Sequence, residues 1–168
     1  KLYYDKEIIS FRNNMIANSN KKYSVDILEA YGIDIIIPSK YTYIKDSSEV
    51  MIFSYNPENK DEIKHIIIYR LLENKLNESM IIEETNKVLS KSLIGPKSNT
   101  HVIIEDRFPF EIYNNSYRGL WKLSKGFMGG SILIKPFFTD NYVVLVCAMV
   151  FDPGNPKRNH VKEFESIL

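Results

Sequence analysis

The run from Tyr142 to Phe151 is apolar at every position, and no other stretch constrains the fold as tightly. It falls well short of the roughly 20 residues that a membrane-spanning helix needs. A strand with one face in water alternates apolar and polar residues, whereas a strand covered on both faces does not. The run therefore predicts a central strand with a packed layer on each side of its sheet. It lies inside a longer block, Tyr117 to Leu168, that reads as the structural heart of the chain. Tyr117 to Leu123 and Ile132 to Phe138 precede it as strands, joined by Ser124 to Gly130, and Asn141 marks the turn before it. After it, Asn155 and Pro156 read as the cap and first residue of a final helix, with Val161, Phe164, Ile167 and Leu168 as the buried stripe.

Upstream, Ile8, Ile9, Phe11, Met15 and Ile16 give Asp5 to Ala17 a helical period, interrupted at Asn18-Ser19-Asn20. Ser24 reads as the cap of a second helix, which Gly32 stops. Ile33 to Ile37, ended by Pro38, reads as a strand. Val50 to Tyr55 and Lys64 to Leu72 follow as strands around a turn at Asn56-Pro57. Met80 to Leu93 is an amphipathic helix stopped by Gly95-Pro96. His101 to Glu105 and Phe110 to Tyr113 read as short strands, and Asn114-Asn115 as a tight turn, since Asn tolerates positive φ. This order predicts an α+β fold, a mostly antiparallel sheet packed by helices. Residues 1–168 read as one domain, with a helical N-terminal segment over 1–31 and a sheet-and-helix core over 33–168.

At 168 residues and 44% hydrophobic, the chain can bury a core of its own. Its 22 basic and 21 acidic residues leave a formal net charge of +1. No overall field then directs it to nucleic acid or to an anionic membrane, and no nucleic-acid partner is expected. Cys147 is the single cysteine, so neither an intrachain disulfide nor a cysteine metal cluster can form. Its apolar neighbours predict a buried, inert thiol. The chain opens Lys-Leu-Tyr-Tyr without methionine and stops inside the final helix, which predicts a piece of a longer protein.

No catalytic signature stands out. A Gly-x-Ser-x-Gly elbow and a phosphate loop are both lacking. The histidines, His65, His101 and His160, are far apart. His160 and Glu163 share a helical face, but a metal site needs a third ligand, and the pair reads as solvated. Glu83-Glu84 and Glu105-Asp106 are adjacent acids that point different ways and read as solvent-facing. No metal or cofactor is expected. Acid-base chemistry, if any, would have to come from His101, Glu105 or His160 with Glu163. The binding candidates lie instead in the block that begins at Tyr117. Trp121 reads as core or interface, and Arg118, on the opposite strand face, as a fork for an anion or for a structural acid. Met128-Gly129-Gly130 sits at a turn into a strand, where glycine permits a bulge or a close approach. Lys157 and Arg158 oppose the helix dipole in the first turn of the last helix, and an external partner or an ion pair would relieve that.

The ordered set Arg118-Gly119-Leu120-Trp121, Met128-Gly129-Gly130, Phe151-x-Pro153, Lys157-Arg158 and Glu165-x-Ile167-Leu168 resembles the envelope lipoproteins of Bacteroidetes-type bacteria that carry domain of unknown function 4837. The segment Ile35 to Tyr41 and Ser79-Met80 with Glu83 extend the likeness. Ser131 stands where that pattern has proline, His160 where it has an aromatic and Lys162 where it has arginine. The order of elements is also similar to a Mog1/PsbP-like α/β/α sandwich. The resemblance implies a periplasm-facing protein, lipid-anchored through a segment outside this chain, of which this is the C-terminal portion. It implies no activity. The expectation is a non-enzymatic module that binds an envelope protein or a small ligand through Arg118, Trp121, Met128, Gly129, Gly130, Lys157 and Arg158. A structural half-domain packed on a preceding N-terminal half, and an enzyme with an unrecognised acid-base site, are the alternatives.

Overall fold

The computed structural model of the chain describes residues 2–47, 49–72, 76–97 and 99–168. Helices α1 (Leu2–Ala17) and α2 (Lys21–Tyr31) lead into strands β1 (Thr42–Ser47), β2 (Val50–Tyr55) and β3 (Ile63–Leu71). Helix α3 (Glu78–Ser92) follows, then β4 (Val102–Ile104), β5 (Glu111–Tyr113), β6 (Ser116–Leu123), β7 (Gly129–Phe138), β8 (Val143–Phe151) and helix α4 (Arg158–Ile167). The eight strands form one sheet in the order β1-β2-β3-β8-β7-β6-β4, with β5 also on β6. Every pairing is antiparallel. The fold is α+β, as the order of elements predicts.

Strand β8 sits in mid-sheet between β3 and β7. Its side chains alternate between two cores. Val144, Val146, Ala148 and Val150 join Ile27, Phe164 and Ile167 of α2 and α4 on one face. Val143, Leu145, Cys147 and Met149 join Ile81 and Leu89 of α3 on the other. That double coverage is why the run carries no polar residue.

Ile33 to Ile37 is not a strand. The segment is apolar because it is packed into the first core, where Ile35 and Ile37 are wholly buried. Its backbone bonds outside the sheet: Ile36 N–H donates to Ile167 O at 3.0 Å and Asn20 N–H donates to Ile37 O at 2.8 Å. The first strand is instead Thr42–Ser47, an edge strand whose Lys-Asp-Ser end gives no apolar period. Helix α2 is capped by Asn20, not Ser24; the Asn20 side chain accepts from Tyr23 N–H, and Gly32 closes the other end at φ 68°. The last helix begins at Arg158 with Lys157 at its cap, because Asn155 is spent on the preceding turn, donating to the Asp152 carboxylate at 2.8 Å. The Asn114-Asn115 turn has the expected left-handed backbone, with φ 48° and 58°.

Candidate functional site

The face of the sheet covered by α3 is not covered to its end. The helix stops at Ser92, and the chain folds back to β4 through backbone bonds from Gly95 N–H to Thr100 O and from Val102 N–H to Leu93 O. Under this loop lies a cavity of about 280 Å³. Its floor is the sheet: Ile63 and His65 of β3, Met149 and Phe151 of β8, Trp121 and Leu123 of β6. Ser92 to Pro96, Val102 and Met128 complete the wall.

Trp121 and the double glycine build the floor together. Strand β7 pairs with β6 from Gly129 onwards but with β8 only from Ile132 onwards. The Val150 carbonyl on β8 accepts a hydrogen bond from the Trp121 indole at 2.9 Å. A Cβ on Gly130 would stand 1.9 Å from that carbonyl oxygen and 3.0 Å from the indole nitrogen. Only glycine lets the backbone pass there. The double glycine thus serves a close approach between backbones, and Trp121 is buried with an internal partner.

His65 brings the one titratable group to the wall. Burial lowers it to about 4, so the ring is neutral at physiological pH. Its Nδ1 is shut away from water with no hydrogen-bond partner among the described residues. None of the described wall residues carries a formal charge at pH 7. His65 was not among the residues the sequence singled out.

The remaining candidates lie elsewhere. Arg118 is on the opposite face of β6, donating from Nε to the Glu165 carboxylate at 2.7 Å and stacked 4.2 Å over the Tyr113 ring. The structural acid is its partner. Arg118 and Arg158 line one open groove with Phe108 and Leu120. Lys157 turns inward, its ammonium donating to the carbonyls of Asp152 and Asn155, which answers the unfavourable dipole locally.

The His160–Glu163 face is not solvated. Glu163 is buried and bonds Lys64 of β3 at 2.5 Å. Lys64 in turn meets Glu62 at 2.8 Å, and His160 lies 3.7 Å from Glu62 and 2.7 Å from Asp152. Burial works against both members of the central pair, yet their mutual attraction raises Lys64 and lowers Glu163. Glu105 does not face solvent either; it is buried, and Arg107 ahead of Lys122 holds it down at about 2 against desolvation. Among the described residues the His101 ring meets only Ser124, at 3.3 Å. These groups form separate clusters, each neutralised by its own neighbours. Cys147 is fully buried, and burial pushes its thiol up, the inert state expected of it. Among the described residues no three His, Cys, Asp or Glu side chains converge to hold a metal ion.

The family model described as Domain of unknown function (DUF4837) matches residues 19–168. The chain belongs to this family. The match takes in the whole sheet, α2, α3 and α4, and all the described walls of the cavity. No curated protein matches the chain. Within the matched span His160 bonds Asp152, and Lys162 reaches Glu7 of α1 at 2.6 Å. Among the described residues no helix is long and apolar enough to cross a membrane.

Proposed function

We propose that this DUF4837 domain is a non-enzymatic binding module that takes a small apolar ligand in the cavity beneath the Leu93–Pro96 loop. The cavity itself carries the reading: it has about 280 Å³ of space in a largely apolar wall, nearly twice the roughly 150 Å³ that suffices for benzene in an engineered core. Met128 and Met149 add walls that adapt to shape. The non-enzymatic part is supported by the dispersal of His101, Glu105 and His160, which lack the mutual geometry acid-base catalysis needs. Trp121 is the single tryptophan, so its emission reports on the site. Titration with naphthalene should shift that emission saturably and raise the melting temperature, and Val102→Phe should abolish both responses. No saturable change in the native chain would refute the reading.

The place of work is the cell envelope, facing the periplasm, with a lipid anchor supplied from outside this chain. That rests on the motif set from Arg118 to Leu168. Fractionation of the producing cells tests it: recovery of the full-length protein in the cytosol would overturn it.

A protein partner is the second reading, favoured by the groove of about 480 Å³ that holds Arg118, Arg158, Phe108 and Leu120. Phe108 and Arg158 are both exposed and line the same groove, an aromatic and an arginine, residue types enriched at protein interfaces. Photocrosslinking from position 108 in envelope preparations should yield one discrete adduct, lost in Arg158→Glu.

A further inference from the structure

We infer that the natural ligand of the cavity is an uncharged molecule with an apolar body and a single hydroxyl, and that the hydroxyl is recognised by the imidazole of His65. This rests on the ligand-binding reading above and names the chemistry of that site.

The wall chemistry limits the class. No described wall residue is Lys, Arg, Asp or Glu, so a carboxylate, phosphate or ammonium would enter without a counter-charge. Desolvation of an unpaired ion is among the costliest steps in protein chemistry, and a charged ligand is thereby excluded. Nδ1 is shut away from water and therefore from a ligand hydroxyl, whereas Nε2 is not shut away. A pure hydrocarbon in the cavity that His65 lines would cover Nε2 and leave it without a partner. A buried polar group without a partner is rare in native structures. A neutral imidazole donates from one nitrogen and accepts at the other. A hydroxyl does both, so it suits Nε2 in either tautomer. Size follows from volume: scaled from benzene in roughly 150 Å³, the cavity suits a fused bicycle or a medium-length chain. Ile94 on the rim is 74% exposed, so an apolar body meets apolar surface before it enters.

A matched series tests this with the whole chain. Naphthalene, naphthol and naphthoate share one ring system and differ in the polar group. Calorimetric titration at neutral pH should rank naphthol tightest, about tenfold over naphthalene, the gain expected of one hydrogen bond, with naphthoate weaker than both. In His65→Leu the naphthol advantage should vanish while naphthalene still binds. The outcomes separate the two claims. If none of the three binds, the cavity is not a ligand site and the reading beneath the inference falls. If naphthalene binds but naphthol gains nothing, or keeps its gain in His65→Leu, the cavity reading stands and the role given to His65 is wrong. Tight binding of naphthoate would overturn the exclusion of charge. Should His65→Leu fail to fold, His65→Gln, which keeps a donor and an acceptor, must hold most of the naphthol gain for the inference to survive.

Discussion

At the scale of single residues, the clearest test concerns His65. Its folded value near 4 lies below the ordinary value of about 6.5. The unfolded chain therefore binds this proton more readily, and acid favours unfolding. The stabilisation is complete above about pH 6.5 and is lost as pH falls towards 4, amounting to about 3 kcal/mol by the shift alone. Urea unfolding at pH 7 and pH 4 should show His65→Leu losing less stability than the native chain by roughly that amount; equal losses would mean the ring is not neutral inside. Gly130 makes a second residue-scale case. The 1.9 Å clash of a Cβ with the Val150 carbonyl has no flexible side chain to absorb it, so Gly130→Ala should cost about 2–4 kcal/mol in unfolding free energy. Such details were legible only in part. A double glycine beside a strand announces close packing, but the sequence does not say against what. His65 carried a faint signal, a polar residue beside the apolar run Ile66 to Tyr69, and nothing distinguished a cavity wall from solvent.

Elements were more legible, for a physical reason. Periodicity records which face of a helix or strand is buried, so the strands of β2, β3, β6, β7 and β8 and helix α3 stand where alternation and caps put them. What an element meets across the core leaves no local trace. Ile33 to Ile37 looks like a strand because a packed coil and a buried strand share one composition. Glu163 looks solvated because charge normally is. Its partner Lys64 lies 99 residues away, beyond any spacing rule. That pair clamps α4 to β3, with Lys64 2% and Glu163 8% exposed. Removing either partner leaves a buried charge held only by its second neighbour, Glu62 at 2.8 Å for Lys64 and Lys40 at 3.0 Å for Glu163. Lys64→Met and Glu163→Met should therefore each cost about 2–3 kcal/mol, below the loss for a wholly unpaired charge, and the double variant should recover part of that loss. The signs in pH are opposite. The Glu163 contribution is present above the usual carboxylate range and disappears as acid protonates it; that of Lys64 holds below the usual ammonium value and disappears as alkali passes its raised folded value. A thermodynamic cycle over the three variants measures the coupling, and additive losses would show that the pair is not coupled.

At the scale of the molecule, consecutive hairpins could be anticipated, but the closure of β3 on β8 could not, because it joins residues 72 to 88 positions apart, from Leu71 with Val143 to Ile63 with Phe151. That closure puts β8 in both cores and makes the sheet one cooperative unit. Helix α1 is different in kind. Ile9 and Ile16 are exposed on it, and it is fastened to α4 by polar contacts: Lys162 to Glu7, Arg12 to the Ser166 carbonyl at 2.9 Å, Tyr4 to Glu165. Few buried apolar contacts mean a low local stability. The helix also lies outside the matched span of 19–168, and it is attached to the face opposite the Trp121 cavity, where α4 packs. Cutting the chain to residues 19–168 should therefore leave a cooperatively folding domain whose melting temperature falls by roughly 5–10 °C, while naphthalene binding stays within twofold. Hydrogen exchange should agree, with α1 amides exchanging by local opening and the β8 amides only on global unfolding. A truncated chain that melts without cooperativity would show that α1 belongs to the folding unit. Loss of binding in a well-folded one would show that the two faces of the sheet are coupled through β8, whose side chains line both.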